Sequence, residues 1–208
     1  MTPYELSKRE SEIIQEVQAQ SLSPQKKWED PRLASLKGKI KKHYIEEQEY
    51  KCAYCQVEIN TTHGMVWDTE HIIDKDGSPQ WMFEALNLCV SCKDCNIAKG
   101  TNNVTKGPKY KSFPKKSSNY RIIHPHFDQY FEHIEVAIPG VTYRYITPKG
   151  RYTMDICGLL RYHKSGGRKQ VDLALKSVLL AAAHESSEEM LDLALEYLLK
   201  RKANSNKR

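Results

Sequence analysis

The chain has 208 residues, 39% of them hydrophobic and 28% charged, with a formal net charge of +6 and a pI near 8.9. This is the composition of an ordinary folded protein and excludes a charge-rich disordered chain, while the basic bias favours a polyanionic partner. No run approaches the ~18 apolar residues of a membrane span and the N-terminus carries no apolar leader core, so the sequence reads as a cytoplasmic protein without a membrane segment.

In chain order, Ile13, Ile14 and Val17 recur at helical spacing from about residue 9 to 22, where "SLSP" ends the run. Asp30 as cap and Pro31 at the first position open a second helix with an apolar stripe of Leu33, Leu36, Ile40 and Tyr44. Its basic side, Lys37, Lys39, Lys41, Lys42 and His43, reads first as a solvated face, with phosphate contact as the alternative. Residues 66–73 read as a strand, "DKDGSPQ" as a turn, Trp81, Met82, Phe83 and Leu86 as packing beneath it, residues 87–90 as the returning strand, and residues 91–98 as a short helix stopped by Gly100.

From Asn96 to Phe127 there is no acidic residue, and Lys99, Lys106, Lys109, Lys111, Lys115 and Lys116 cluster there. Tyr110, Phe113 and Tyr120 interleave with them. They either stack on bases or anchor the loop, and the one-sided charge favours nucleic-acid contact. His124 and His126 stand just after this loop. Residues 133–156 alternate three times with period two (Ile134, Val136, Ile138; Val141, Tyr143, Tyr145; Tyr152, Met154, Ile156), which predicts a three-stranded antiparallel meander. Two further helices are predicted beyond it: one carries Val171, Leu175, Val178, Leu179 and Ala182, and the other is capped by Ser186 with Glu189. The fold class is therefore α+β. N-terminal helices occupy residues 1–48, a metal-braced finger 49–102, the basic loop 103–127, and a strand and helix region 128–208.

The chemistry concentrates between Cys52 and Gly100. Cys52 and Cys55 form one C-x-x-C pair, Cys92 and Cys95 another, and together they supply the four soft ligands of a tetrahedral structural zinc. Cys89 and Cys157 are left over as small core residues. Between the pairs lie Glu70 and His71. An imidazole titrating near pH ~6.5 can serve as a base at neutral pH, and the oxygens of Glu70 and Asn96 suit magnesium or manganese. Adjacent residues of a regular strand point to opposite faces, so both can serve one site only at a bend or a strand end. Asp68 and Asp74 read as turn residues, with added charge near an ion as the alternative.

"CAYC", "TEHII", "NL", "SCKDCN" and "AKG", in this order, resemble the HNH endonuclease superfamily with its ββα-metal fold, in the subgroup with a four-cysteine zinc. The resemblance implies His71 as general base, Glu70 and Asn96 as ligands of a catalytic Mg2+ or Mn2+, and Asn87 as the residue that orients the loop bearing the base. It also implies hydrolysis of phosphodiesters in nucleic acid, DNA favoured and RNA possible. Asn96 stands where many relatives carry His, and Asp74 where many carry Pro. The competing reading is a non-catalytic zinc module that binds nucleic acid or a partner. A weaker resemblance through "HPHFDQYFEHIEV" and "KGRYTMDICGLLR", to HNH proteins of mobile-element and anti-phage defence loci, implies an ATPase partner.

Overall fold

The structure is a computed structural model that describes residues 1–161 apart from 62, 108 and 109, and residue 192. The chain divides into two compact units, Met1–Arg161 and Tyr162–Arg208, and the elements described belong to the first. The two C-terminal helices predicted from the sequence lie outside the described residues.

Helix α1 (Lys8–Gln18) is opened by a capping box in which the Ser7 side chain accepts from the Glu10 N–H and Glu10 accepts from the Ser7 N–H at 2.9 Å. The helix ends earlier than the apolar spacing suggests, because Ser23 caps a separate short helix α2 (Pro24–Trp28) with proline at its first position. Asp30 then caps a single 3-10 turn, Pro31–Leu33, which runs into α3 (Ala34–Glu47). The predicted stripe of Leu33, Leu36, Ile40 and Tyr44 is buried, and α3 packs it against both strands of the central hairpin. The Tyr44 hydroxyl donates to the Ala85 carbonyl at 2.7 Å and pins the helix to the loop between those strands.

The hairpin pairs β1 (Trp67–His71) antiparallel with β2 (Leu88–Cys92), in a register that sets Glu70 opposite Cys89 and His71 opposite Leu88. Helix α4 (Lys93–Lys99) follows directly and stops at Gly100, whose φ of 47° lies in the left-handed region that glycine tolerates. Strand, strand and helix thus stand where the sequence reading places them, within two or three residues at each boundary. Trp81, Met82 and Phe83 are buried below the hairpin, and Cys89 and Cys157 are fully buried core residues.

The meander is corrected from three strands to two. β3 (Ile134–Ile138) pairs with β4 (Thr142–Tyr145), but the third predicted strand is helix α5 (Pro148–Ile156). Thr147 caps it by accepting from the Gly150 N–H at 3.2 Å, so Pro148 marks a helix start and not a break between strands. Gly150 is required for packing: a Cβ there would sit 1.9 Å from the His133 carbonyl oxygen. Period two failed because Thr153, Met154 and Cys157, a helical set, are the residues that face inward. The molecule is α+β, and among the described residues no helix is long and apolar enough to cross a membrane.

Candidate active site and metal centre

The sulfurs of Cys52, Cys55, Cys92 and Cys95 all lie within 4.8 Å of one another. Tetrahedral Zn–S bonds of about 2.3 Å put sulfurs just under 4 Å apart, so the cluster can hold a metal ion such as zinc. The Cys55 and Cys92 sulfurs are 3.9 Å apart. The Cys92 N–H donates to the Cys52 sulfur at 3.3 Å. Among themselves the four thiols share charge unequally: hydrogen bonding from Cys52 foremost holds Cys55 far below an ordinary thiol and draws Cys92 down to about 7, while burial pushes Cys52 up and Cys95 is raised as well. The Arg161 guanidinium reaches the Cys95 sulfur at 3.2 Å and Cys92 at 3.8 Å, and donates to the carbonyl of Cys157 at 2.8 Å. A zinc held by four thiolates would carry two net negative charges, and this cation would offset part of them. Arg161→Ala is expected to weaken zinc about 10- to 100-fold in a chelator competition, with the fold retained.

A cleft of about 510 Å³ opens beside this cluster, and Asp68, Glu70, His71, Asn96 and Lys99 all line it. His71 is the last residue of β1, where the strand gives way to a loop, and this is how two adjacent residues reach one cavity. The residue is 8% exposed. Its Nε2 lies 3.1 Å from the Met82 carbonyl oxygen, which can only accept, so Nε2 bears the proton and Nδ1 the lone pair. Burial, reinforced by the Lys75 charge, pushes the imidazole down to about 3, so the ring is neutral at physiological pH. Trp28 of α2 packs edge-on against it with centroids 4.6 Å apart.

Asn87 is fully buried outside the cleft and holds the loop that follows His71. Its Oδ1 accepts from the Ile73 N–H at 2.7 Å, and its Nδ2 donates to the carbonyls of Ile73 at 3.0 Å and Trp81 at 3.1 Å. Asn87→Ala leaves the buried N–H and carbonyl of Ile73 unpaired, while the Trp81 carbonyl keeps the Glu84 N–H at 3.2 Å. The expected cost is about 2 kcal/mol or more in denaturant unfolding, together with a disordered Met82 contact to His71.

Glu70 is 2% exposed and its Oε1 meets the Lys99 ammonium at 2.6 Å and the Tyr54 hydroxyl at 3.1 Å. Burial raises its pKa against the opposing pull of Lys99. Both partners sit on Oε1, and the residue lines the cleft. Asn96 and Glu70 share the cavity without touching; the Asn96 amide donates instead to Asp68 at 2.9 Å. Asp68 is therefore a strand residue facing the cleft, whereas Asp74 closes a turn by accepting from the N–H groups of Asp76 and Gly77.

The lysines divide. Lys99 is corrected from a surface phosphate contact to a core residue, 1% exposed, its ammonium committed to Glu70 and to the His71 carbonyl at 3.0 Å. Lys106, Lys111, Lys115 and Lys116 are exposed on the loop, while Lys109 lies outside the described residues. Phe113 and Tyr120 are buried and anchor the loop, whereas Tyr110 is half-buried and keeps part of its ring at the surface. His124 is a core residue and His126 is half-buried, its Nε2 2.8 Å from the Leu88 carbonyl; the His124 ring stacks on Phe127 at 4.1 Å, and burial takes it down to about 3.

The sequence reading leaves phosphate contact by the α3 lysines as the alternative to a solvated face, and it misses Trp28. Lys37 lies 2.7 Å from the Trp28 carbonyl and above that indole, and Lys41 reaches the Trp67 carbonyl at 2.9 Å; both line the cavity. The Ser23-Pro24 cap signal was there to find, but nothing local says that the helix it starts ends over His71.

Comparison with known proteins gives one match of note. The chain is 35% identical over 69 residues to the Septu protein PtuB of Bacillus thuringiensis, a stretch that is 33% of this chain and spans about a quarter of that relative's length. No family model matches the chain. No solved structure matches it either.

Proposed function

We propose that the protein is a metal-dependent HNH-type endonuclease that hydrolyses phosphodiester bonds in nucleic acid, DNA foremost. The observation that carries this reading is a neutral, tautomer-fixed His71 lining a cleft that also presents the oxygens of Asp68, Glu70 and Asn96. Nδ1 of His71 takes the proton from an attacking water, and the hydrogen bond from Nε2 to Met82 steadies the ring as charge develops on it. Glu70 through its carboxylate, Asn96 through its amide oxygen, and Asp68 beside it are the residues that would hold Mg2+ or Mn2+; such an ion supplies charge stabilisation at the phosphate and the leaving oxygen. Lys37 and Lys41 add positive charge along the opposite wall. The HNH resemblance assigns products bearing 5′-phosphates.

The similarity to PtuB and the resemblance to HNH proteins of anti-phage defence loci together support a role in defence, with an ATPase partner. The zinc-module reading draws on one observation, the Glu70–Lys99 pair, which already neutralises one expected ligand. Incubating the protein with plasmid DNA and with RNA, in Mg2+, in Mn2+ and in EDTA, separates the two. Cleavage that requires the ion supports the nuclease, and binding without cleavage supports the module.

The depressed His71 pKa has a direct consequence for pH dependence. A base that protonates near 3 stays competent through the neutral range, so kcat/KM is expected to show no inflexion near 6.5 as the pH falls from 8 to 5. Stability, by contrast, depends on pH through the same group. His71 and His124 are neutral when folded but protonate at about 6.5 when unfolded, so their contribution is full above that value and is lost as the pH falls towards 3. Urea midpoints at pH 7, 5 and 4 measure that decline.

A further inference from the structure

A second cavity of about 330 Å³ adjoins the cleft, and Asp74 and Thr101 line both. Its far wall is the acid-free basic loop, through Val104, Thr105 and Tyr110. Its charged lining group, Asp74, is already occupied by two backbone N–H groups. Two rings border it: Trp81, held edge-on to Phe113 at 5.7 Å, and Tyr110, whose hydroxyl accepts from the Asn119 amide at 3.2 Å. Gly107 lets the tyrosine ring lie close over the backbone, since a Cβ there would be 2.9 Å from the Tyr110 hydroxyl. Three amides line this cavity, those of Gln80, Asn102 and Asn103. Asn102 spends one N–H on the Lys99 carbonyl at 2.7 Å and keeps its oxygen as an acceptor beside the second N–H. Asn103 spends its oxygen on the N–H and hydroxyl of Thr105, both at 3.0 Å, and keeps its N–H as a donor.

We infer that this cavity is a subsite for one unpaired nucleobase, belonging to the strand whose phosphate occupies the cleft. An aromatic wall takes the flat face of a base, an acceptor and a donor take its edge, and the surrounding lysines take the flanking phosphates. Arginine or lysine within the cavity would suit a phosphate; among the described residues none lines it, and its carboxylate, held by backbone N–H groups, disfavours a phosphate and tolerates a base. The substrate class that follows is a single strand, or a duplex opened at the cleavage point, because a base stacked in a duplex presents neither its faces nor its pairing edge. This inference rests on the nuclease reading for what happens next door, not for the binding itself.

The test uses the His71→Ala protein and short single-stranded DNA and RNA of one sequence, each carrying 2-aminopurine at a single, successively shifted position. Binding is expected to change the fluorescence at one position only. Tyr110→Ala should remove that signal and weaken single-strand binding about tenfold or more, while Tyr110→Phe preserves both and matched duplex binds more weakly than either strand. The DNA and RNA arms show which sugar the subsite accepts. A uniform response along the strand, or a position-specific signal unchanged in Tyr110→Ala, overturns the subsite. Cleavage by the unaltered protein is scored in parallel: its absence alongside a position-specific signal defeats the nuclease and leaves the subsite standing, and its presence with a uniform response does the reverse.

Discussion

His71→Ala is expected to lower metal-dependent cleavage by about 10²- to 10⁴-fold while zinc content stays unchanged. The ring is the group of the cleft whose proton inventory suits a base at neutral pH: Nε2 is spent on Met82 and Nδ1 carries a lone pair. Because the side chain is also buried and packed on Trp28, its removal costs some stability, so the activity must be compared at a temperature where circular dichroism shows both proteins folded. Unchanged cleavage in a folded, zinc-loaded variant would remove His71 from the chemistry and, with it, the reason to read the cavity as catalytic.

Cys95→Ser should have the larger structural effect. A serine oxygen is a poor replacement for thiolate on zinc, and structural zinc contributes about 10–16 kcal/mol of apparent binding energy to a small fold that lacks other means of closure. The expected result is a protein without stoichiometric zinc, a thermal transition lowered or lost, and no cleavage. Cys89→Ser is the matched control, since Cys89 is as buried as Cys95 but stands outside the four-sulfur cluster; it should keep its zinc and lose only about 1–3 kcal/mol. A Cys95→Ser protein that melts like the parent would show that the cluster does not brace the fold.

Much of the site could be read from residues alone because its signals are local. Two C-x-x-C pairs, a hairpin between them and a short helix ending at glycine need only spacing and turn chemistry, and the structure brings the four sulfurs within 4.8 Å. Asn87 also stands where a loop-orienting residue should, with three hydrogen bonds to that loop. The misreadings arose where a contact joins distant parts of the chain. Lys99 looked like one more exposed lysine of a basic run, and only the packing of α4 on β1 brings it to Glu70. Trp28 carries no mark of its place over His71. The strand predicted at Tyr152, Met154 and Ile156 shows the opposite failure, a local pattern overruled by the Thr147 cap and by the close approach at Gly150.

Helix α4 holds Cys95 in the sulfur cluster and, one residue later, Asn96 in the cleft. Successive residues of a helix are turned about 100° apart. An insertion or deletion of one residue here would swing one of the two out of its place, whereas the exposed stretch between the first knuckle and β1 has no such phase to keep. Length variation should therefore be tolerated around residues 58–65 and forbidden between 92 and 99, which makes the helix the natural ruler for aligning this protein with any relative.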